Sequence, residues 1–262
     1  SPGMHFARDI IASELIALKE LGVTSVYYKS ETTLPYKAHL DPQNDYIIGG
    51  FNGDTARENG LSFRIDWLRG QKTGFFVDQR DNRQLLKHYS RDRKVLNMFC
   101  YTGGFSVYAL AGGAKEVTSV DSSAKAITLT DANVALNFPE GAAHRSSAED
   151  AFRFLDNMET GSYDLILLDP PAFAKHRSAL HNALQGYRRL NARAIAKIAP
   201  GGILFTFSCS QAVSREQFRL AVFSRLYRPP CACAPPAHPA CRPSGEHLPS
   251  RRRIPERSCT LR

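Results

Sequence analysis

Apolar positions change their spacing along this chain, and the change divides it. Over residues 6–21 the apolar side chains Ile10, Ile11, Leu15, Ile16, Leu18 and Leu21 recur at helical spacing, and Gly22 follows as a stop signal. Residues 23–28 form a β-rich run, and 60–67 alternate as a strand does. Between them, residues 30–60 mix charge, Gly and Asn with no clear period and carry no assignment. This opening reads as part of a small α+β unit over residues 1–69.

From about residue 70 the pattern becomes regular. A polar-rich helix is predicted over 78–90, a short apolar strand over 94–99, and a helix from the turn at 100–104 through Ala111. A strand over 116–120 ends in Asp121, and a helix covers 124–137. A weak strand near 143–145 precedes a helix over 148–158. Residues 163–168 form a near-continuous apolar strand, as expected where both faces of a sheet are covered. A long helix over 180–199 and a strand over 202–207 complete the series. Strands alternating with helices in this way predict an α/β fold with a doubly wound, Rossmann-like parallel sheet over residues 70–224.

Composition sharpens the division. The 262 residues are 43% hydrophobic and 23% charged, which excludes a wholly disordered chain. No apolar run reaches the length of a membrane span. The first residues lack the basic-then-apolar pattern of a signal peptide, so the chain reads as cytoplasmic. The net charge of +9 is unevenly spread: residues 227–262 hold seven Arg and two Glu, leaving +4 for the rest. The same segment holds eight of the fifteen Pro and four of the six Cys (Cys231, Cys233, Cys241, Cys259). Their spacing does not suit zinc, and no metal site is expected.

Ligands of doubly wound sheets bind beyond the carboxyl ends of the strands, and four features fall there. Tyr101, Thr102 and Gly103 form a glycine turn between strand and helix. Asp121 ends the next strand, about twenty residues on, where a carboxylate can accept hydrogen bonds from ribose hydroxyls. The turn lacks the G-x-G-x-x-G spacing that seats a pyrophosphate, which favours S-adenosylmethionine over a nicotinamide cofactor. Asp169-Pro170-Pro171-Ala172-Phe173 is a stiff acidic loop suited to a planar base, with Asp169 hydrogen-bonding and Phe173 stacking. Cys209 lies just past the last strand. A small buried thiol is the commonest fate of such a residue, but this one sits at a strand end.

The strings GQKTGFFVDQRDNR (70–83), VLNMFCYTGGFSVYA (95–109), SVDSSAKAI (119–127), YDLILLDPPAFAKH (163–176) and FTFSCSQ (205–211) closely resemble bacterial class I 23S ribosomal RNA (cytosine-5) methyltransferases. The match covers about residues 60–224. The resemblance implies S-adenosylmethionine near Asp121, with Asp150 near its adenine, and 23S ribosomal RNA as partner. It implies Asp169 at the target base as well as the cofactor, Pro170, Pro171 and Phe173 in the base loop, and Cys209 as nucleophile. No second cysteine lies beside the Pro-Pro loop, so single-cysteine chemistry is expected. Members of the family carry an N-terminal PUA domain before a small central domain; this chain is expected to lack the first and to begin inside the second. Two other readings are a guanine-directed methyltransferase, which needs no thiol, and a non-catalytic RNA-binding module.

Residues 225–262 read as an irregular, frameshifted tail. Back-translated and read from the second base of each codon, residues 233–261 permit VLHQLTQPADHPVNIYHREGEYLKGLVLY, which resembles the ordinary ending of this family. The sequence so lost would supply the last two strands of the sheet, leaving the strand over 202–207 with an unpaired edge.

Overall fold

The structure, a computed structural model, describes residues 14–31, 44–174 and 176–223. The tail expected from 225 onward and the first part of the helix over 6–21 lie outside the described residues.

One compact unit runs to Asp169 and resumes at Lys197–Thr206. It opens with helix α1 (Leu15–Glu20) and an antiparallel pair, β1 (Val26–Lys29) with β2 (Asn44–Ile48). A second antiparallel pair, β3 (Thr55–Glu58) and β4 (Leu61–Arg64), turns through Asn59 and Gly60. Both turn residues have positive φ, 51° and 83°, the geometry that a two-residue hairpin needs to match strand twist.

A parallel sheet follows. Its strands are β5 (Lys94–Met98), β6 (Glu116–Asp121), β7 (His144–Ala148), β8 (Leu165–Leu168) and β9 (Ile203–Thr206), in spatial order β7-β6-β5-β8-β9. The connections carry helices α2 (Arg80–Tyr89), before β5, then α3 (Gly104–Ala111), α4 (Ala124–Asn137) and α5 (Ala151–Asn157). All four residues of β8 are buried, so each apolar side chain there contributes about 1.5–3 kcal/mol of burial. The strand order reverses on either side of β5, which puts the switch point between β5 and β8. Among the described residues β9 pairs only with β8.

The β3–β4 hairpin is stitched to this sheet's helices. Asn133 Oδ1 accepts the Arg64 N–H at 2.7 Å, and Asn137 exchanges two hydrogen bonds with the backbone of Ser62. Phe63 is fully buried among Phe75, Val107, Tyr108 and Val134.

The second unit takes Pro170–Ala196 and the chain from Phe207. It holds most of α6 (Leu180–Lys197) and α7 (Arg215–Phe223). Its core gathers Ala174, Ala183, Tyr187, Phe218 and Val222.

Candidate active site

The turn after β5 is held in an unusual backbone path. Phe99, Tyr101 and Gly103 all have positive φ, at 59°, 49° and 75°. Two of the three are not glycine, and such strain persists only where the surroundings over-determine it. Here they do. Gly103 N–H donates to the Cys100 carbonyl at 2.8 Å, Thr130 Oγ1 donates to the Tyr101 carbonyl at 2.9 Å, and Asn133 Nδ2 donates to the Thr102 carbonyl at 2.8 Å. A Cβ at Gly103 would come within 2.6 Å of Thr130 Cγ2, so the glycine also permits close packing on α4. The Tyr101 hydroxyl accepts the Gln71 N–H at 3.0 Å, and burial raises its pKa.

Asp121 closes this turn from the neighbouring strand. Its Oδ2 accepts the Tyr101 N–H at 3.0 Å and its Oδ1 accepts the Ser123 N–H at 2.9 Å. Both oxygens are thereby fixed, and each keeps a second lone pair for a hydroxyl donor. That donor set suits a ribose diol. The Glu149 N–H donates to the Asp121 carbonyl at 3.0 Å, tying the end of β7 to the end of β6. Asp150, next in the chain, is exposed and caps α5, its Oδ1 accepting the Arg153 N–H at 3.0 Å.

Asp169 follows β8 and is half-buried. Burial is the main cause that pushes its pKa up to about 6. Asp78 pushes the same way, while Arg83 and Lys72 oppose. Three charged residues of the segment 70–83, to which the sequence alone assigned no role, thus act on Asp169. Within that segment Arg83 is buried and forms two hydrogen bonds of 2.8 Å to Glu58 and one of 3.0 Å to the Phe76 carbonyl. Its guanidinium stacks over the Phe75 ring at 4.5 Å. Tyr108 donates to Glu58 Oε1 at 2.8 Å.

The second unit contains the base loop and the thiol. Pro170 is buried and Pro171 exposed. Phe173 is half-buried, its ring 4.6 Å from that of Tyr187, so one of its faces is committed to the core of this unit. Ser210 holds the loop: its Oγ accepts the Ala174 N–H at 3.2 Å and shares a hydrogen bond of 2.9 Å with the Tyr187 hydroxyl. Cys209, beside it, is exposed, and its thiol donates to the Pro170 carbonyl at 3.6 Å. Cys100 contrasts with it. That thiol is buried against Thr130 at 3.6 Å, and burial pushes its pKa up to about 12.

A glycine turn and a fixed carboxylate at the next strand end suit a nucleoside cofactor, and residues 41–234 match the S-adenosylmethionine-dependent methyltransferase family. The chain belongs to that family. The cofactor of this family is S-adenosylmethionine, as the sequence reading expected. A relative from Tolumonas auensis named "Ribosomal RNA large subunit methyltransferase I" is 41% identical over 228 residues, 85% of this chain and 57% of the relative. A "Ribosomal RNA large subunit methyltransferase" of Deinococcus radiodurans is 44% identical over 186 residues, 70% of this chain and 46% of the relative. The chain thus spans about half the length of the curated relatives it matches. Among solved structures, SMU.776 complexed with SAH superposes with a TM-score of 0.69 at 25% identity, covering 84% of this chain and 56% of that one. A SAM-dependent methyltransferase from Agrobacterium tumefaciens does so at 0.56 and 28%, covering 68% and 60%. The α/β, Rossmann-like expectation holds. No described helix is long and apolar enough to cross a membrane.

Proposed function

We propose that this methyltransferase modifies large-subunit ribosomal RNA, forming 5-methylcytosine through a covalent adduct between Cys209 and C6 of the base. One observation carries the reading: the exposed Cys209 thiol rests on the carbonyl of Pro170, the residue that follows Asp169. The relatives named for large-subunit RNA support the substrate class.

S-adenosylmethionine, when bound, supplies an electrophilic methyl group on a sulfonium sulfur. Asp121 would accept its ribose hydroxyls, the Tyr101-Thr102-Gly103 turn would lie against it, Asp150 would serve its adenine, and Asp169 would serve both cofactor and base. C5 of cytosine is too weak a nucleophile to take that methyl group unaided. Cys209, its proton lost to solvent, adds to C6. The C5=C6 π pair moves into the ring and N3 takes a proton from Asp169, a carboxyl that holds its proton to about pH 6. The enamine carbon C5 would then accept the methyl group that the cofactor supplies, the C–S bonding pair staying with the cofactor's sulfur. A solvent water then takes the C5 proton, the C5–H pair restores the C5=C6 bond and expels the Cys209 thiolate, and the N3 proton returns to Asp169. Pro170 and Pro171 keep the loop stiff, and the half-buried Phe173 would contact the base.

Incubation with RNA containing 5-fluorocytosine blocks the last proton loss, so a covalent adduct is expected at Cys209 by peptide mapping. Cys209→Ala should abolish methyl transfer and leave cofactor binding nearly intact. Retained activity in that variant, or a guanine as the methylated base by mass spectrometry, would overturn the reading in favour of a mechanism without a thiol.

A further inference from the structure

Charge divides the two units. Residues 170–196 and 207–223 hold seven Lys and Arg and a single acid, Glu216, a net of +6. Residues 1–169 and 197–206 hold nineteen Lys and Arg against twenty-two Asp and Glu, a net of −3. The centre of the basic excess is α6, whose 18 residues include no acid at all. Its apolar face is committed to packing, with Ala183, Gly186, Tyr187, Leu190 and Ala194 buried. The opposite face exposes His181, Asn182, Gln185, Arg188 and Arg189. Neither Arg188 nor Arg189 has an ion-pair partner among the described residues.

Direct contacts tie this helix to the Pro-Pro loop. A Cβ at Gly186 would come within 2.9 Å of the Phe173 ring, so the glycine lets the loop lie against the helix. The Tyr187 ring lies 4.6 Å from that of Phe173, and its hydroxyl shares a hydrogen bond of 2.9 Å with Ser210, the neighbour of Cys209. Arg188 and Arg189 follow Tyr187 directly. Asn182 and Arg189, four residues before Gly186 and three after it, flank the side of the helix on which Phe173 rests.

We propose that the exposed face of α6, centred on Arg188 and Arg189, docks the sugar–phosphate backbone of the RNA beside the target nucleotide. Arg, Asn and Gln side chains are the groups that bond phosphate and ribose oxygens, and such contacts fix register without reading sequence. Unpaired guanidinium groups in a unit with one acid keep their full attraction for a polyanion. The helix that seats Phe173 then also holds the strand next to the base that Phe173 meets. The inference rests on the RNA methyltransferase reading for its partner but not on the cysteine chemistry.

The test is equilibrium binding of the full chain to transcribed large-subunit ribosomal RNA across a range of salt concentrations. Arg188→Ala combined with Arg189→Ala should lower affinity about tenfold and flatten the salt dependence by about two phosphate contacts. Arg188→Lys with Arg189→Lys should keep most of the slope, and S-adenosylmethionine affinity, read by calorimetry, should not change in either variant. Arg80→Ala with Arg145→Ala removes the same charge from arginines already paired with Asp81 and Glu116, and should lower affinity less than about threefold. Unchanged affinity and slope in the Arg188 and Arg189 alanine variant would overturn the inference. So would an equal loss in the Arg80 and Arg145 variant, which would make the effect one of net charge alone. If the alanine variant binds normally while the product is 5-methylcytosine, the docking face falls alone. If it loses RNA binding but the product of the parent chain is another base, the cytosine chemistry falls and the docking face stands. A parent chain that binds no RNA at low salt would overturn both.

Discussion

Arg83 and Glu58 meet through two parallel hydrogen bonds of 2.8 Å with side chains only 3% and 12% exposed. The pair joins α2 to the β3–β4 hairpin, and the Arg83 charge also reaches Asp169. A buried ion pair is a weak source of net stability, yet breaking one side of it leaves a desolvated charge behind. Glu58→Ala should therefore cost about 3–5 kcal/mol in denaturant unfolding. Lys125→Ala, which removes an ion pair to Asp66 of the same 2.8 Å length but with the lysine 67% exposed, should cost less than about 1 kcal/mol. Equal losses in the two variants would refute this ordering.

Asp121→Asn replaces one carboxylate oxygen with an amide NH₂ opposite a backbone N–H that now donates to it. The substitution should weaken S-adenosylmethionine binding by roughly 1–3 kcal/mol, the range for a charged hydrogen bond. Titration calorimetry measures it directly. An unchanged affinity would remove Asp121 from the cofactor site.

The sheet's centre was legible in the sequence because its strands are short apolar runs bounded by punctuation, as at 94–99 before the glycine turn and 163–168 before Pro170, whereas the polar edge strand His144–Ala148 extends three residues beyond the weak strand expected near 143–145. The first seventy residues were harder. The strand Asn44–Ile48 begins with polar residues and gives no period, while the Asn59-Gly60 pair, a strong hairpin signal, lay inside a stretch without assignment. Helix Arg215–Phe223 was missed although Ser214 and Gln217 form a reciprocal cap, the Gln217 N–H donating to Ser214 Oγ at 3.2 Å and the Ser214 N–H to Gln217 Oε1 at 3.0 Å. The pattern of strands put Asp121 at the end of β6, Asp169 just after β8 and Cys209 just past β9, and the structure has them there. That pattern could not give the surroundings of Asp169, because Lys72, Asp78 and Arg83 approach it through tertiary packing rather than chain proximity.

Asp169 should carry a stability cost at neutral pH. Its folded pKa, about 6, lies above the ordinary value of 3.8, so the folded chain binds the proton more tightly than the unfolded chain. Stability from this group is present at low pH and lost as pH rises from about 4 to about 6. Asp169→Asn, which cannot ionise, should be more stable than the parent by about 1–3 kcal/mol at pH 7.5 and should lose that advantage near pH 4. The same variant should lose methyl transfer. Melting curves at the two pH values check the sign.

His144 works in the opposite direction. Burial lowers its pKa, and the exposed Asp131 carboxylate, 3.7 Å from Nδ1, only partly opposes this. Its Nε2 shares a hydrogen bond of 2.8 Å with Ser119, which joins Ser106 at 2.6 Å and through it Asn97. The folded state therefore favours the neutral ring. Stability from this site is complete above the ordinary histidine pKa of about 6.5 and falls as pH drops below it, because the unfolded chain takes the proton first. In the Asp169→Asn background, which removes the opposing carboxyl, the melting temperature should decline between pH 7.5 and 5.5, and adding His144→Gln should make that decline smaller.

Two thiols in the described residues should differ sharply in reactivity, independently of any RNA. Only the thiolate attacks an alkylating reagent, so a thiol that is both buried and raised to a pKa of about 12 is doubly protected. Cys100 meets both conditions, packed against Thr130 beneath the glycine turn. Cys209 is exposed, and its thiol donates to the Pro170 carbonyl at 3.6 Å. Iodoacetamide applied to the native protein should therefore modify Cys209 long before Cys100, as read from the tryptic peptides that carry each residue. Denaturation should erase the difference, since burial, helped by the Asp121 and Asp131 charges, raises the Cys100 barrier only in the folded chain. If Cys209 were the nucleophile for C6, its alkylation should also end methyl transfer while S-adenosylmethionine binding persists. Labelling of Cys100 at the rate of Cys209 in the folded protein would contradict the buried thiol, and full activity after stoichiometric alkylation of Cys209 would remove it from the chemistry.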